Sequence, residues 1–129
     1  MNPTEQTGAG EFAGRVAIVT GAAGGIGRAT ALRLAASGAA VLVADRREEV
    51  AETGAAIKAA GGTALHRIID VTDDEQVRGM VGAARERFGR LDVLVNNAGA
   101  VGRPAPLAEL DPEAFDRTLA INARGTFLG

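Results

Sequence analysis

The stretch Thr20-Gly21-Ala22-Ala23-Gly24-Gly25-Ile26-Gly27 places four glycines within seven residues, immediately after the β-branched run Val16-Ala17-Ile18-Val19. A strand that enters such a loop and leaves as a helix has little freedom: the backbone must turn tightly, and the helix N-terminus presents unpaired N–H groups. Those groups favour a bound anion such as a pyrophosphate, which glycines let approach the main chain. The spacing is Gly-x-x-x-Gly-x-Gly, and no Gly-Lys-Ser/Thr follows, which argues against a nucleoside-triphosphate loop. Close packing of helix on sheet is the other use such glycines have.

The rest of the chain repeats the same punctuation. Val41-Leu42-Val43-Ala44 and Val93-Leu94-Val95 are continuous apolar runs, as expected of parallel strands covered on both faces. The run Ala64 to Ile69 carries His66 and Arg67, which suits a sheet edge and makes His66 a surface residue. Residues 73 to 88 set Val77, Met80, Val81, Ala84 and Phe88 on one helical stripe behind a Thr72-x-x-Glu75 capping box. Two Ala-rich segments before it read as weaker helices, and Gly38, Gly61 and Gly89 each fall where a left-handed C-cap belongs. A fourth helix is predicted to begin at Asp111 as N-cap with Pro112 at its first position, Leu110 and Phe115 forming a hydrophobic staple, and to run to Gly129. The order β-α-β-α-β-α-β-α predicts an α/β fold: a doubly wound parallel sheet in three layers joined by right-handed crossovers. Residues 1–12 are predicted to be a flexible tail and residues 13–129 one domain.

Composition narrows the chemistry. With 14 Lys plus Arg against 16 Asp plus Glu, nothing favours nucleic acid or anionic lipid, which need clustered cations. No Cys and one His exclude the usual zinc sites. No segment reaches the roughly 18 consecutive apolar residues of a membrane span, and the start lacks a signal peptide's pattern, so a cytoplasmic location is expected. There is no Tyr, one Ser (Ser37) and one Lys (Lys58).

Several polar residues fall at the carboxyl ends of the predicted strands, where such folds bind ligands. Asp45 ends the second strand about 20 residues past the glycine loop, the place for an acid that accepts from both ribose hydroxyls of an adenosine. Its charge favours NAD over NADP, as does Gly24, which brings no second cation, whereas Arg46 would attract a 2′-phosphate. Asp70-Val71 closes the third strand, Asn96-Asn97-Ala98-Gly99 the fourth. Asn122 shares the predicted apolar face of the last helix with Phe115 and Leu119, where an amide needs its polar atoms satisfied.

Taken together, Thr20-Gly21-x-x-x-Gly25-Ile26-Gly27, Asp45, Asp70-Val71, Asn96-Asn97-Ala98-Gly99 and Asn122 resemble the short-chain dehydrogenase/reductase family over residues 13 to 129. The resemblance implies a Rossmann fold of strand order 3-2-1-4, incomplete at the C-terminus, and a nicotinamide cofactor, NAD with NADP as the alternative. Gly21, Ile26 and Gly27 would flank the pyrophosphate and nicotinamide end, Asp70 and Val71 would contact adenine, and Asn97, Ala98 and Gly99 would lie beside the cofactor's centre. The two Asn side chains would also tie neighbouring strands together. In that family a cofactor exchanges hydride with an alcohol or carbonyl carbon, a Tyr with a Lys four residues later supplies the acid/base, a Ser polarises the substrate oxygen, and an Asn anchors a relay water.

Asn122 matches the last of these, and the other three have no counterpart here. The resemblance therefore implies a chain that stops partway along the helix after the fourth strand, inactive alone, with its fourth strand left as an unpaired apolar edge prone to association. A full-length form would take a small alcohol or carbonyl substrate and form a homo-oligomer. The alternatives are a non-catalytic dinucleotide-binding remnant and, more remotely, an S-adenosylmethionine methyltransferase, which also uses a glycine loop and acidic strand ends.

Overall fold

The computed structural model describes residues 10–129. Four strands, β1 (Val16–Thr20), β2 (Ala40–Asp45), β3 (Thr63–Ile68) and β4 (Val93–Val95), form one sheet in the order β3-β2-β1-β4. All pairs are parallel, with Ile18 opposite Leu42 and Leu94, and Leu42 opposite Leu65. The connections are helices α1 (Gly25–Ala36), α2 (Val50–Ala59) and α3 (Asp74–Phe88). This is the doubly wound, Rossmann-like sheet with flanking helices that the sequence predicts.

Strand alternation builds the layers. Ala17, Val19, Val41 and Val43 point to one face and pack with Ala31 of α1 and Val50 and Ile57 of α2. Val16, Ile18, Leu42 and Ala44 point to the other and meet Val77, Met80 and Ala84 of α3. Because both faces are covered, every β1 residue is buried, which is why β1 reads as continuous apolar sequence rather than an alternating one. β3 is an edge: His66, Arg67 and Ile68 are exposed, and the Arg67 guanidinium donates to the His66 carbonyl at 3.0 Å, covering an acceptor the edge leaves unpaired. At the opposite edge β4 is half-buried throughout. No helix among the described residues is long and apolar enough to cross a membrane.

The glycine C-caps form where expected: Gly38, Gly61 and Gly89 have φ of 99°, 87° and 85°. Four local expectations are corrected. The α3 cap is Asp73, not Thr72: the Asp73 carboxylate accepts from the Gln76 amide at 3.0 Å, while the Thr72 hydroxyl is taken by Asp70 at 2.7 Å. The predicted tail overruns: residues 1–9 lie outside the described residues, but Phe12 donates its amide to the Ser37 carbonyl at 2.8 Å and packs on the α1/α2 core. The last helix is not uniform, since α4 (Pro112–Leu119) passes through a π-turn, Ala120–Arg124, into α5 (Gly125–Leu128). Asp111 caps it through the Glu113 amide with Pro112 at the start, but Leu110 and Phe115 are 44% and 61% exposed, so the staple does not bury them.

Candidate functional site

A cleft of about 550 Å³ opens at the carboxyl ends of the strands, within the range of small-molecule sites. Its walls come from four separate places: Gly21, the Asp45-Arg46-Arg47 corner after β2, Ile69 to Thr72 after β3, and Asn97 to Ala100 after β4. The fifth wall is the last helix, through Arg117, Ala120 and Ile121.

The glycine loop is held rigidly from below. Gly21 sits at φ 67°, left-handed backbone that suits glycine. The Asn97 amide Nδ2 donates to the carbonyls of Thr20 and Gly21 at 3.0 and 3.3 Å, and a Cβ on Gly27 would fall 2.5 Å from that nitrogen. The hydroxyl of buried Thr20 accepts from the amides of Asn97 and Ala98 at 3.2 and 3.1 Å and donates to the Val95 carbonyl at 3.4 Å. Asn97 thus ties β4 to the loop as expected. Asn96 does not: its side chain makes no hydrogen bond among the described residues.

Above this lock, α1 begins without a side-chain cap at Gly24. The amides of Gly25, Ile26 and Gly27 find no acceptor among the described residues, and Ile26 is 78% exposed beside them. Open amides and the positive end of the helix dipole make this corner an anion acceptor. Asp45 stands next to it, its Oδ2 accepting from the Ala23 amide at 3.0 Å and its Oδ1 from the Arg47 amide at 3.0 Å. A carboxylate has about four acceptor positions, so room remains on both oxygens for hydroxyl donors.

Arg47 escaped the sequence reading. Its guanidinium nitrogen Nη2 lies 3.2 Å from the point a Cβ would occupy on Gly24, and its Nε is 3.6 Å from Asp45 Oδ1. The cation expected to be missing at Gly24 is thus supplied from two residues beyond Asp45. Arg117 was missed too. It shares a helical face with Ala120 and Ile121, the only signal it offers, and nothing in the sequence says that this face meets the strand ends.

Asp70 accepts from the Thr72 amide and hydroxyl at 2.9 and 2.7 Å, both on Oδ1. The backbone bond first and the hydroxyl second hold its carboxyl below the usual carboxylate range. A carboxylate depressed in the folded state adds stability above its unfolded pKa, about 3.9, and that contribution fades as pH falls through the folded value. Urea midpoints for the wild type and Asp70→Asn, measured from pH 6 to 2.5, should differ above pH 4 and converge below it. A difference that stays constant across the range would remove the charge from the explanation. The exposed setting keeps the effect small.

Asn122 is brought to the site differently from its prediction. Phe115 and Leu119 are exposed, so there is no buried apolar face for it to share. It lies in the π-turn, where its Oδ1 accepts from the Ala100 amide and its Nδ2 donates to the Ala100 carbonyl, each at 2.8 Å. π-Turns inside α-helices recur at functional sites because they re-aim side chains.

Comparison with known proteins agrees with this geometry. The family model described as short chain dehydrogenase matches residues 15–129. Cis-4-hydroxycyclohexanecarboxylate dehydrogenase of Sinomonas cyclohexanicum is 48% identical over 117 residues, 91% of this chain and 47% of that protein. A short chain dehydrogenase from Mycobacterium avium superposes with a TM-score of 0.89 at 42% identity, over 93% of this chain and 45% of the other. An NAD⁺-bound xylitol dehydrogenase gives 0.87 at 41% identity, over 92% and 46%. The chain spans about half the length of the proteins it matches.

Proposed function

Because the chain belongs to the short-chain dehydrogenase family, we propose that its cleft binds NAD for hydride exchange with an alcohol or carbonyl carbon of a small molecule. The observation that carries this reading is the pairing of three open α1 amides with the Asp45 carboxylate at the neighbouring strand end. One binds a diphosphate and the other a ribose diol, and the absence of a Cβ at Gly27 lets α1 start close against the Gly21 carbonyl and Asn97. The NAD⁺-bound relative of the same fold supports the choice of ligand.

In this reading Gly21, Gly25, Ile26 and Gly27 receive the diphosphate, with Thr20 holding the loop from beneath. Asp45 accepts from the adenosine ribose, Asp70 and Val71 border the adenine, and Asn97, Ala98 and Gly99 border the centre of the molecule. The nicotinamide, when bound, supplies or takes the hydride. Asn122, expected to anchor a relay water, bonds both backbone groups of Ala100 through its side-chain amide and keeps one further position on each amide atom. In this reading it holds the 97–100 loop in place and stays available to anchor the relay water. NAD is preferred over NADP on Asp45 alone, because Arg46 and Arg47 both offer cations to a 2′-phosphate.

Titration of the 129-residue chain with NAD, NADP and S-adenosylmethionine tests this. NAD should bind tightest and S-adenosylmethionine not measurably, and tighter NADP binding would reverse the cofactor preference. Preference for S-adenosylmethionine would overturn the family chemistry. With no Tyr in the chain, an acid/base contribution of about 10²- to 10⁴-fold is missing, so an alcohol panel with NAD should give no turnover.

A further inference from the structure

The loop after β3 carries Val71 and Thr72 on the cleft wall, and its local bonds run through Asp70 to Thr72 and Gln76. The second support comes from the far end of the chain. Gly125 is buried, and a Cβ there would fall 2.9 Å from Val71 Cγ2 and 3.3 Å from Val71 Cβ. Beside it, Arg124 Nε donates to the Thr72 carbonyl at 3.4 Å. Both residues lie at the end of the same π-turn whose Ala120 and Ile121 line the cleft and whose Asn122 clasps Ala100.

We propose that Arg124 and Gly125 are positioning residues that set the affinity of the cleft for the adenosine part of its ligand, by fixing Val71 and Thr72 through the π-turn. This rests on the dinucleotide-binding reading. A β-branched side chain is stiff at χ1, so a methyl at position 125 cannot be absorbed by a rotamer change in Val71. Either the Val71 backbone or the π-turn must shift, and both line the cleft. Arg124 adds a charge-assisted bond to the next carbonyl, and its loss frees Thr72, the residue that holds Asp70.

Calorimetric titration with AMP and with NAD, on the wild type, Gly125→Ala, Arg124→Ala and Arg124→Lys, tests the proposal together with the ligand-free melting temperature. Gly125→Ala should weaken both ligands by the same factor, about tenfold, and lower the ligand-free melting temperature, since the overlap with Val71 outweighs alanine's preference for helix. Arg124→Ala should weaken both by about threefold, and Arg124→Lys should recover part of that. If Gly125→Ala does not fold, the exposed Arg124 pair still decides. AMP affinity unchanged in the folded variants, or lost in Arg124→Ala only in step with the ligand-free melting temperature, overturns the positioning role. A wild type that binds neither AMP nor NAD removes the dinucleotide reading first and this inference with it.

Discussion

Gly27→Ala should unfold the protein more easily by about 2–3 kcal/mol and abolish NAD binding at millimolar ligand. In an ordinary helix position the same change stabilises by about 1 kcal/mol, so the sign carries the test. At position 27 the new methyl would overlap the Gly21 carbonyl oxygen and lie 2.5 Å from Asn97 Nδ2. Neither can retreat: Gly21 is fixed at φ 67°, and the Asn97 amide is spending its hydrogens on the Thr20 and Gly21 carbonyls. The loop must open, and with it the row of amides proposed to meet the diphosphate. Gly82→Ala is the matched control, on exposed α3 with nothing within 4 Å of its Cβ position, and should gain up to about 1 kcal/mol. Urea denaturation with an unchanged m-value reads both effects. Equal stability of the two variants would mean that the Gly21–Gly27–Asn97 contact carries no energy.

Much of the fold was legible because its signals are forced by physics that acts locally. Strands covered on both faces must be apolar throughout, as Val16 to Val19 and Val41 to Ala44 are. A helix that ends in left-handed backbone favours glycine, and Gly38, Gly61 and Gly89 all show it. The α3 cap was misplaced by one residue because two capping sequences overlap. Thr72 could cap, but its hydroxyl donates to Asp70, and Asp73 takes the Gln76 amide in its place. The staple failed for a different reason: Leu110 and Phe115 have the right spacing, and spacing says nothing about whether a neighbouring surface exists to bury them.

The site was legible where each residue sits at the end of its own strand, as Asp45, Asp70 and Asn97 do. It was obscure where the residue arrives from elsewhere. Arg47 reaches back to Gly24 across the loop, and Arg117 enters from a helix far along the chain. The π-turn left no trace in the sequence. It differs from an α-helical turn by one residue of backbone register, and Ala120-Ile121-Asn122-Ala123-Arg124 would serve either.

Thr20→Val should cost about 2–3 kcal/mol, although it changes almost nothing in shape. Valine keeps the branch at Cβ, the rotamer preference and the strand propensity, so packing and backbone terms largely cancel and the hydroxyl is isolated. That hydroxyl serves three backbone groups at once: it accepts from the amides of Asn97 and Ala98 and donates to Val95. Thr20 itself is 3% exposed, so water replaces the lost partner poorly on its side. Asn97 and Ala98 are half-buried, and water relieves part of the penalty there. This keeps the total below the sum for three buried orphans at about 1–3 kcal/mol each. The Asn97 side chain still bonds the Thr20 carbonyl in the variant, so the loop loosens without detaching and NAD affinity should fall about tenfold. Thr20→Ser separates the two causes, since it keeps the hydroxyl and loses a methyl. Recovery of affinity in the serine variant assigns the effect to the hydrogen bonds. A valine variant as stable as the wild type, with NAD bound as tightly, would show that the Thr20 hydroxyl contributes nothing to holding β4 against β1.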